Sequence, residues 1–103
     1  MKHPDRTTVE RLEQLPNIGK AMVEDLQILG ITRPQQLIGQ DPLQLWLALE
    51  QQTGQRHDPC VLDTFMAAIA FMEGGPAQPW WDFTARRKRL YGAIVSARKG
   101  QHV

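Results

Sequence analysis

The stretch Leu15-Pro16-Asn17-Ile18-Gly19-Lys20 decides the fold that we predict for this chain. It lies between two short segments of helical apolar periodicity, residues 9–15 and residues 21–29. Proline and glycine three residues apart, enclosing Asn-Ile, are typical of a tight turn between two helices. Asn17 tolerates a left-handed backbone, and Gly19 adopts one at almost no steric cost. The stretch therefore predicts a helical hairpin.

The predicted hairpin presents backbone donors to solvent. We expect the Ile18 side chain to point into the core, so that the amides of Ile18, Gly19 and Lys20 emerge where the second helix begins. Unpaired N–H groups and the positive end of a helix dipole attract anions, and Lys20 adds a full charge. This arrangement predicts a grip on phosphate groups, although Glu24 lies one turn beyond Lys20 and is placed to pair with it. The alternative is a turn that only joins two helices.

The hairpin resembles the helix-hairpin-helix motif, whose turn usually reads Leu-Pro-Gly-Ile-Gly. Beyond the hairpin, the chain is similar to a family of small bacterial proteins, the pathogenicity-locus family, some of whose members carry a mitomycin-resistance label. That similarity rests on Leu29-Gly30-Ile31, Asp41-Pro42, Asp58-Pro59-Cys60-Val61-Leu62 and Pro79-Trp80-Trp81. The front half of the chain also resembles the C-terminal domain of bacterial competence regulators.

The resemblance implies contacts with the backbone phosphates of duplex DNA, which carry no sequence information. In similar families the hairpin carbonyls sometimes hold a monovalent cation, and residues 15, 17 and 18 would supply those carbonyls here. Two positions depart from the motif: Asn17 replaces its first glycine and Val23 replaces an alanine. Asn17 narrows the backbone freedom at the contact point, and Val23 crowds the approach of the two helices. A hairpin that packs without binding nucleic acid is therefore the alternative.

The composition predicts a single globular domain. With 103 residues and 42% hydrophobic residues, the chain supports one modest core. The longest apolar run, residues 66–72, is too short to span a bilayer, and residues 1–6 lead into no apolar stretch of a signal peptide. The single cysteine excludes an intrachain disulfide, which favours a cytoplasmic setting and no membrane partner.

The charge is unevenly distributed, although the net charge is only +1. Residues 21–84 carry two Lys/Arg and eight Asp/Glu, whereas residues 85–103 carry six Lys/Arg and no Asp/Glu. An acidic body with a basic tail predicts that the tail meets a polyanion. The residues that we expect to support the phosphate contacts are Arg11, Arg86, Arg87, Lys88 and Arg89. The alternative for the last four is a solvated helix face or a disordered tail.

The apolar periodicity predicts an all-α fold of five short helices, built as a SAM-like tandem of helix-hairpin-helix-like pairs and followed by a basic C-terminal helix. The predicted helices are residues 9–15 after a cap at Thr7 or Thr8, Lys20 to Leu29, a short helix that starts after Thr32 as its cap with Pro34 in its first turn and Leu37 and Ile38 buried, Pro42 to about Gln52, Pro59 to about Met72, and about Asp82 or Thr84 to Lys99. Residues 32–49 form a second, degenerate hairpin whose acidic turn we expect to be structural.

Residues 1–73 are predicted to form the hairpin domain, residues 74–79 a linker, and residues 80–103 an aromatic clasp with the basic helix. Trp80 and Trp81 after the linker favour a hydrophobic plug over base stacking, and an exposed pair would indicate a patch for a protein partner.

Cys60 and His57 lie three residues apart near a predicted helix start, where a helix dipole can lower the pKa of a thiol. The pair could act as a nucleophile with a neighbouring base, or supply two of the four ligands of a zinc site. The other histidines, His3 and His102, lie near the termini and offer no second ligand pair, so a buried structural cysteine is favoured. We therefore predict a non-enzymatic, sequence-nonspecific DNA-binding module. The alternative is a protein-interaction or oligomerisation adaptor that uses its aromatic clasp.

Overall fold

The computed structural model describes residues 6–100, and within them it contains four α-helices, three 3-10 turns and no strand. The α-helices are α1 (Lys20–Ile28), α2 (Pro42–Thr53), α3 (Pro59–Met72) and α4 (Thr84–Gly100). The 3-10 turns span Leu12–Gln14, Pro34–Leu37 and Trp80–Phe83. The all-α prediction is confirmed for this part of the chain, whereas His3 and His102 lie outside it. None of the described helices is both long and apolar enough to cross a membrane.

The first predicted helix is wrong, because only a single 3-10 turn forms there. The side-chain Oε1 of Gln14 accepts the amides of Glu10 at 2.8 Å and Arg11 at 2.9 Å. These bonds satisfy donors at the start of the turn. Leu15 then has extended dihedrals, φ −72° and ψ 146°, as expected for a residue before proline, and Pro16 prevents the helix from continuing.

The third predicted helix is also a 3-10 turn, and for similar reasons. It begins after Arg33, not after Thr32 as predicted, and Gln36 Oε1 accepts the Arg33 amide at 2.9 Å. Ile38 is extended and Gly39 left-handed with φ 83°, so the chain leaves the helical region after four residues. Ile38 is 51% exposed, which corrects the prediction that it is buried. Leu37 is buried as predicted.

Residues 9–29 and 31–51 repeat one local structure with an offset of 22 residues. Each repeat has a 3-10 turn closed by a glutamine, a left-handed residue, and an α-helix that begins at position 20 or 42. The left-handed residues are Asn17, with φ 69°, and Gly39. Buried residues recur at the same offset: Val9 and Ile31, Leu12 and Pro34, Leu15 and Leu37. We call the two loops the first turn (residues 15–20) and the second turn (residues 37–42).

The core is centred on α3, which packs against α2, α4 and the last two 3-10 turns. Its large buried side chains are Leu62, Phe65, Met66, Ile69, Phe71 and Met72. Each such side chain contributes roughly 1.5–3 kcal/mol when it is removed from water. The chain after residue 79 joins the same core, because Phe83 is 5% exposed and Val95 is 4% exposed.

A buried polar network fixes α4 against α3. Asp63 is fully buried, and its carboxylate accepts Thr84 Oγ1 at 2.7 Å and Arg87 Nε at 2.8 Å. The Arg87 side chain is only 12% exposed. Burial of a carboxylate is tolerated when a cation and hydrogen bonds compensate it. The network therefore determines which face of α4 remains at the surface.

Candidate functional site

The first turn is anchored by two buried side chains and a left-handed asparagine. Leu15 is 3% exposed and Ile18 is 5% exposed, as predicted for the residue that holds the turn to the core. Asn17, not Gly19, has the left-handed backbone. Gly19 is extended, with φ −96° and ψ −173°, because it is the N-cap residue of α1 and N-cap residues lie in the β region. The prediction of a left-handed Gly19 is therefore wrong.

Asn17 compensates for the missing motif glycine through a tertiary hydrogen bond. Its Nδ2 donates to the Gln78 carbonyl at 2.7 Å. A left-handed non-glycine residue costs roughly 1–2 kcal/mol, and one hydrogen bond recovers about 0.5–1.5 kcal/mol of that cost. The bond also joins the first turn to residues 74–79, which sequence spacing alone did not indicate.

The outward-facing amides are shifted by one residue from the prediction. The Ile18 amide donates to the Leu15 carbonyl at 3.3 Å, so the expectation that it is free is wrong. The first helical bond of α1 runs from Val23 N to the Gly19 carbonyl at 3.0 Å. Between these two bonds, the amides of residues 19–21 have no hydrogen-bond partner within residues 6–100, and all three residues are exposed.

The surroundings of these amides favour an anion. No side chain among residues 6–100 caps α1, and its first turn contains no acidic residue. A Cβ atom built at Gly19 would meet nothing within 4 Å, so the space in front of the helix is open. Within the same described residues, Lys20 forms no ion pair with Glu24. A positive helix end and a free ammonium group therefore face solvent together.

The second turn has the same shape and the opposite charge. Asp41 Oδ1 accepts the amides of Leu43 at 2.9 Å and Gln44 at 3.4 Å, at the position that corresponds to Gly19. The Glu73 carboxylate accepts the Gly39 amide at 2.9 Å. Two carboxylates of the chain itself therefore accept backbone amides of the second turn and of the start of α2.

The predicted basic residues are not equivalent in the structure. Arg86, Lys88 and Arg89 are exposed, and the Arg86 guanidinium lies 5.6 Å from the centre of the Phe83 ring. The expectation of an exposed four-residue cluster is wrong for Arg87, because Asp63 holds it in the interior. Arg11 is exposed and pairs with Glu13 at 3.4 Å.

One basic residue of α4, Arg86, approaches the second turn. Arg86 lines a cleft of about 210 Å³ that also includes Gln40, Pro42 and Glu73. The Tyr91 phenol lies close enough to Asp41 for that carboxylate to raise the pKa of Tyr91 further, after burial as the main cause. The structure therefore places Arg86 next to the acidic turn.

The aromatic clasp divides into a buried part and an exposed part. Phe83 is buried, whereas Trp80, the first residue of the predicted Trp80-Trp81 plug, is half-buried. Trp81 is 61% exposed, and its ring meets that of Trp80 edge-on, with centroids 5.6 Å apart. The predicted plug is therefore wrong for Trp81, and because only one of the two tryptophans is exposed, the condition of an exposed pair is met in part.

Cys60 lacks the features of a reactive thiol. Burial raises the pKa of Cys60, and the neighbouring Asp58 raises it further, so a dipole-lowered pKa is not found. His57 Nε2 lies 2.9 Å from Thr53 Oγ1. No group of three or more His, Cys, Asp or Glu side chains within residues 6–100 is arranged to hold a metal ion.

Comparisons with known proteins point to one family. A family profile described as Cdd1, pathogenicity locus, matches residues 5–89. A relative from Streptomyces lavendulae, "Mitomycin resistance protein McrB", is 44% identical over 89 residues, which is 86% of this chain and 85% of the relative. No solved structure gives a significant match, and these comparisons do not show the similarity to competence regulators. The relative's name describes a resistance and states no molecular activity.

Proposed function

The chain belongs to the pathogenicity-locus family, and from that premise we propose that it is a non-enzymatic, sequence-nonspecific DNA-binding module. In this proposal the first turn holds a phosphate of the DNA backbone. Residues 9–29 then form a helix-hairpin-helix whose first helix is reduced to a 3-10 turn. Residues 31–51 form its degenerate copy, which completes a tandem arrangement.

The free amides in front of α1 carry this proposal. The amides of residues 19–21 have no acceptor within residues 6–100, and these three residues, Lys20 among them, are exposed. Backbone donors at a helix N-terminus bind phosphate oxygens without regard to base sequence. The Ile18 amide is engaged with Leu15, so Ile18 acts in this site by holding the turn to the core.

The basic residues outside the first turn have a supporting role in the proposal. Arg86, Lys88 and Arg89 add exposed positive charge on α4, where Arg86 lies near the second turn, and Arg11 contributes less because it is paired with Glu13. If two or three phosphates are contacted, a plot of the logarithm of the DNA-binding constant against the logarithm of the salt concentration should have a slope of about −2 to −3. The proposed binding is therefore weak and steeply salt-dependent.

Substitution of Gly19 provides the sharpest test, because the space around it is open. Gly19→Asp gives the first turn the cap that Asp41 gives the second, so the new carboxylate occupies the amides and repels phosphate. We expect its affinity for a short DNA duplex to fall by about tenfold or more. Gly19→Ala adds a Cβ that meets nothing, and we expect its affinity to stay within about twofold.

The titrations are made by fluorescence anisotropy at about 50 and 200 mM salt. Aspartate is a better N-cap than glycine, so Gly19→Asp should unfold at the same or a higher denaturant concentration. Loss of binding therefore cannot be attributed to unfolding. Equal affinity of the Asp and Ala variants would contradict the phosphate grip. If only the combined Arg86→Ala, Lys88→Ala and Arg89→Ala variant loses binding, the basic helix alone is responsible.

The exposed Trp81 favours a second candidate, a protein-interaction or oligomerisation adaptor. A large apolar side chain that is 61% exposed is a common contact residue in protein interfaces. This candidate predicts a mass that rises with concentration in sedimentation equilibrium and returns to that of a monomer in Trp81→Ala. If the protein stays a monomer at all concentrations and binds duplex DNA, the adaptor is excluded and the DNA-binding proposal remains.

A further inference from the structure

Trp81 has the largest exposed fraction of the large apolar side chains among the described residues, at 61%. It lies in a 3-10 turn that is anchored at both ends. The Asp82 amide donates to the Pro79 carbonyl at 3.1 Å, and Phe83 is buried in the core. The Trp80 ring meets the Trp81 ring edge-on, with an angle of 84° between their planes. The two rings are therefore not stacked on each other, and Trp81 presents a held aromatic surface to solvent.

Hydrogen bonds connect the segment that carries this indole to the first turn. Asn17 Nδ2 donates to the Gln78 carbonyl at 2.7 Å, and Gln78 Nε2 donates to Asp82 Oδ2 at 3.4 Å. Trp81 follows Gln78 by three residues, and Gly19 follows Asn17 by two. Chain geometry therefore keeps the indole within about 30 Å of the open amides at the start of α1. A single DNA strand of about five to ten nucleotides covers that distance, which is a usual site size for single-strand binding.

The exposed area of Trp81 suits one nucleobase better than a protein surface. A tryptophan side chain has up to about 250 Å² of surface, so the exposed part amounts to about 150 Å². A stable protein interface buries roughly 800 Å² on each partner. Stacking of one base needs only the face of one ring, and every base has such a face. The neighbouring Asp82 carboxylate disfavours a phosphate at this place, but a base carries no charge.

We propose that Trp81 is a stacking platform for an unpaired base of the DNA strand whose phosphate the first turn holds. The class of ligand is therefore DNA with unpaired bases, such as a single strand or an overhang, because the bases inside a duplex are already stacked on their neighbours. The stacking site rests on the proposed phosphate grip and adds a base contact to it. An intact duplex uses the phosphate grip alone.

Two single strands of about ten nucleotides form a matched pair of probes. One consists of thymidines, and the other has the same phosphates and sugars without bases. We expect the full-length wild-type chain to bind the thymidine strand about tenfold more tightly than the abasic strand, measured by fluorescence anisotropy at about 50 mM salt. Equal affinities overturn the proposal. This comparison needs no variant, so it does not depend on the folding of one.

Two variants locate the base contact at Trp81. Trp81→Phe keeps an aromatic face, whereas Trp81→Leu keeps apolar bulk without one. For the thymidine strand we expect Trp81→Phe to bind within about threefold of the wild type and Trp81→Leu to lose about tenfold. Both should bind the abasic strand as the wild type does. Ile38→Ala truncates another exposed apolar side chain and should stay within about twofold on both strands. Equal affinities of Trp81→Phe and Trp81→Leu for the thymidine strand overturn the proposal.

Gly19→Asp separates the stacking site from the phosphate grip. If both exist, this variant weakens binding of both strands alike and leaves the preference for thymidines. A preserved preference with no effect of Gly19→Asp supports the stacking site and contradicts the grip. Loss of binding in Gly19→Asp without any preference in the wild type contradicts the stacking site alone. Binding of neither strand overturns both. A self-associating chain that becomes a monomer in Trp81→Leu, with unchanged DNA affinities, assigns the indole to a contact between copies and overturns the proposal.

Discussion

The first and second turns are built alike and differ in what stands in front of their helices. Both have a 3-10 turn closed by a glutamine, a left-handed residue, and an α-helix that begins 22 residues from its counterpart. At the N-cap, Gly19 leaves the amides of α1 open, whereas the Asp41 carboxylate occupies those of α2. Two similar turns therefore differ in whether carboxylates of the chain accept their amides, since Asp41 and Glu73 do so only in the second turn.

The neighbouring segments reinforce this difference. Residues 73–78 contact both left-handed residues: Gln78 offers a neutral carbonyl to Asn17, and Glu73 offers a carboxylate to the Gly39 amide. Lys20 stands at the first turn with no ion pair to another described residue. The two turns therefore have opposite local charge in a chain whose net charge is close to zero.

The largest expected effect is on the free energy of unfolding, when one partner is removed from the ion pair near each turn. Asp63 and Arg87 are buried and hold α4 beside the second turn, whereas Arg11 and Glu13 are exposed beside the first. Asp63→Ala leaves the Arg87 charge buried and unpaired, so we expect a loss of about 3–5 kcal/mol in the free energy of unfolding. Urea denaturation followed by circular dichroism measures this loss.

Glu13→Ala is the matched control, because it removes one partner of the exposed pair. We expect it to change the free energy of unfolding by about 0–1 kcal/mol. Similar losses in the two variants would mean that Arg87 is not buried as described.

The next largest expected effect is on DNA affinity, when substitutions close the helix end at the first turn and open the one at the second. Asp41→Gly removes the acceptor of the Leu43 and Gln44 amides. The Glu73 carboxylate still accepts the Gly39 amide and keeps the second turn negative. In a Gly19→Asp background that has lost DNA binding, we therefore expect Asp41→Gly alone to restore little. Adding Glu73→Gln should recover about tenfold in affinity, because Arg86 then faces an open helix end.

The same anisotropy titration measures this recovery. No recovery in the variant with all three substitutions would show that an open helix end is insufficient without a lysine at the position of Lys20. Full recovery with Asp41→Gly alone would show that Glu73 has no electrostatic role.

A smaller effect is expected when the two N-cap residues are truncated to the same side chain. Asp41→Ala removes an aspartate cap that accepts two amides, and we expect it to cost about 1 kcal/mol of stability. Gly19→Ala removes no side-chain bond and should change stability by less than about 0.5 kcal/mol. Urea midpoints of the two variants measure the difference, and equal midpoints would mean that the Asp41 cap contributes nothing.

The helix bounds were predictable wherever one residue and its neighbour determine them. An aspartate followed by proline marks the start of both α2 and α3, because the carboxylate caps the helix and proline suits its first turn. The start of α1 at Lys20 was predictable from the turn chemistry. Gln14 and Gln36 stand at the last position of a capping box, a signal for the start of both 3-10 turns that our sequence analysis did not use.

The remaining features depend on contacts between distant residues. Arg87 differs from Arg86 only because Asp63, 24 residues away in sequence, lies beneath it. Asn17 is held by Gln78, 61 residues away, and periodicity contains no information about that pair. A short apolar segment fits a single 3-10 turn as well as an α-helix. Periodicity therefore could not show that the first and third predicted helices are 3-10 turns.

The smallest expected effect uses cysteine as a probe of the potential at two helix N-termini. Burial and then Asp58 raise the pKa of Cys60 above its usual value near 9, so little thiolate forms at neutral pH and alkylation is slow. In a Cys60→Ser background, Ala21→Cys places a thiol at the open end of α1 beside Lys20. There the helix dipole and the ammonium group favour the thiolate, so the pKa should lie below that of a free cysteine.

At pH 7.5 we therefore expect the thiol at position 21 to react with iodoacetamide several-fold faster than Cys60, and added salt should reduce this difference. Gly19→Asp in the same background places a carboxylate at the cap and should raise the pKa at position 21, as Asp58 does for Cys60. Alkylation rates measured from pH 6 to 10 give both pKa values. If Gly19→Asp leaves the rate at position 21 unchanged, the free amides do not create a positive potential, and the difference between the two turns is one of shape alone.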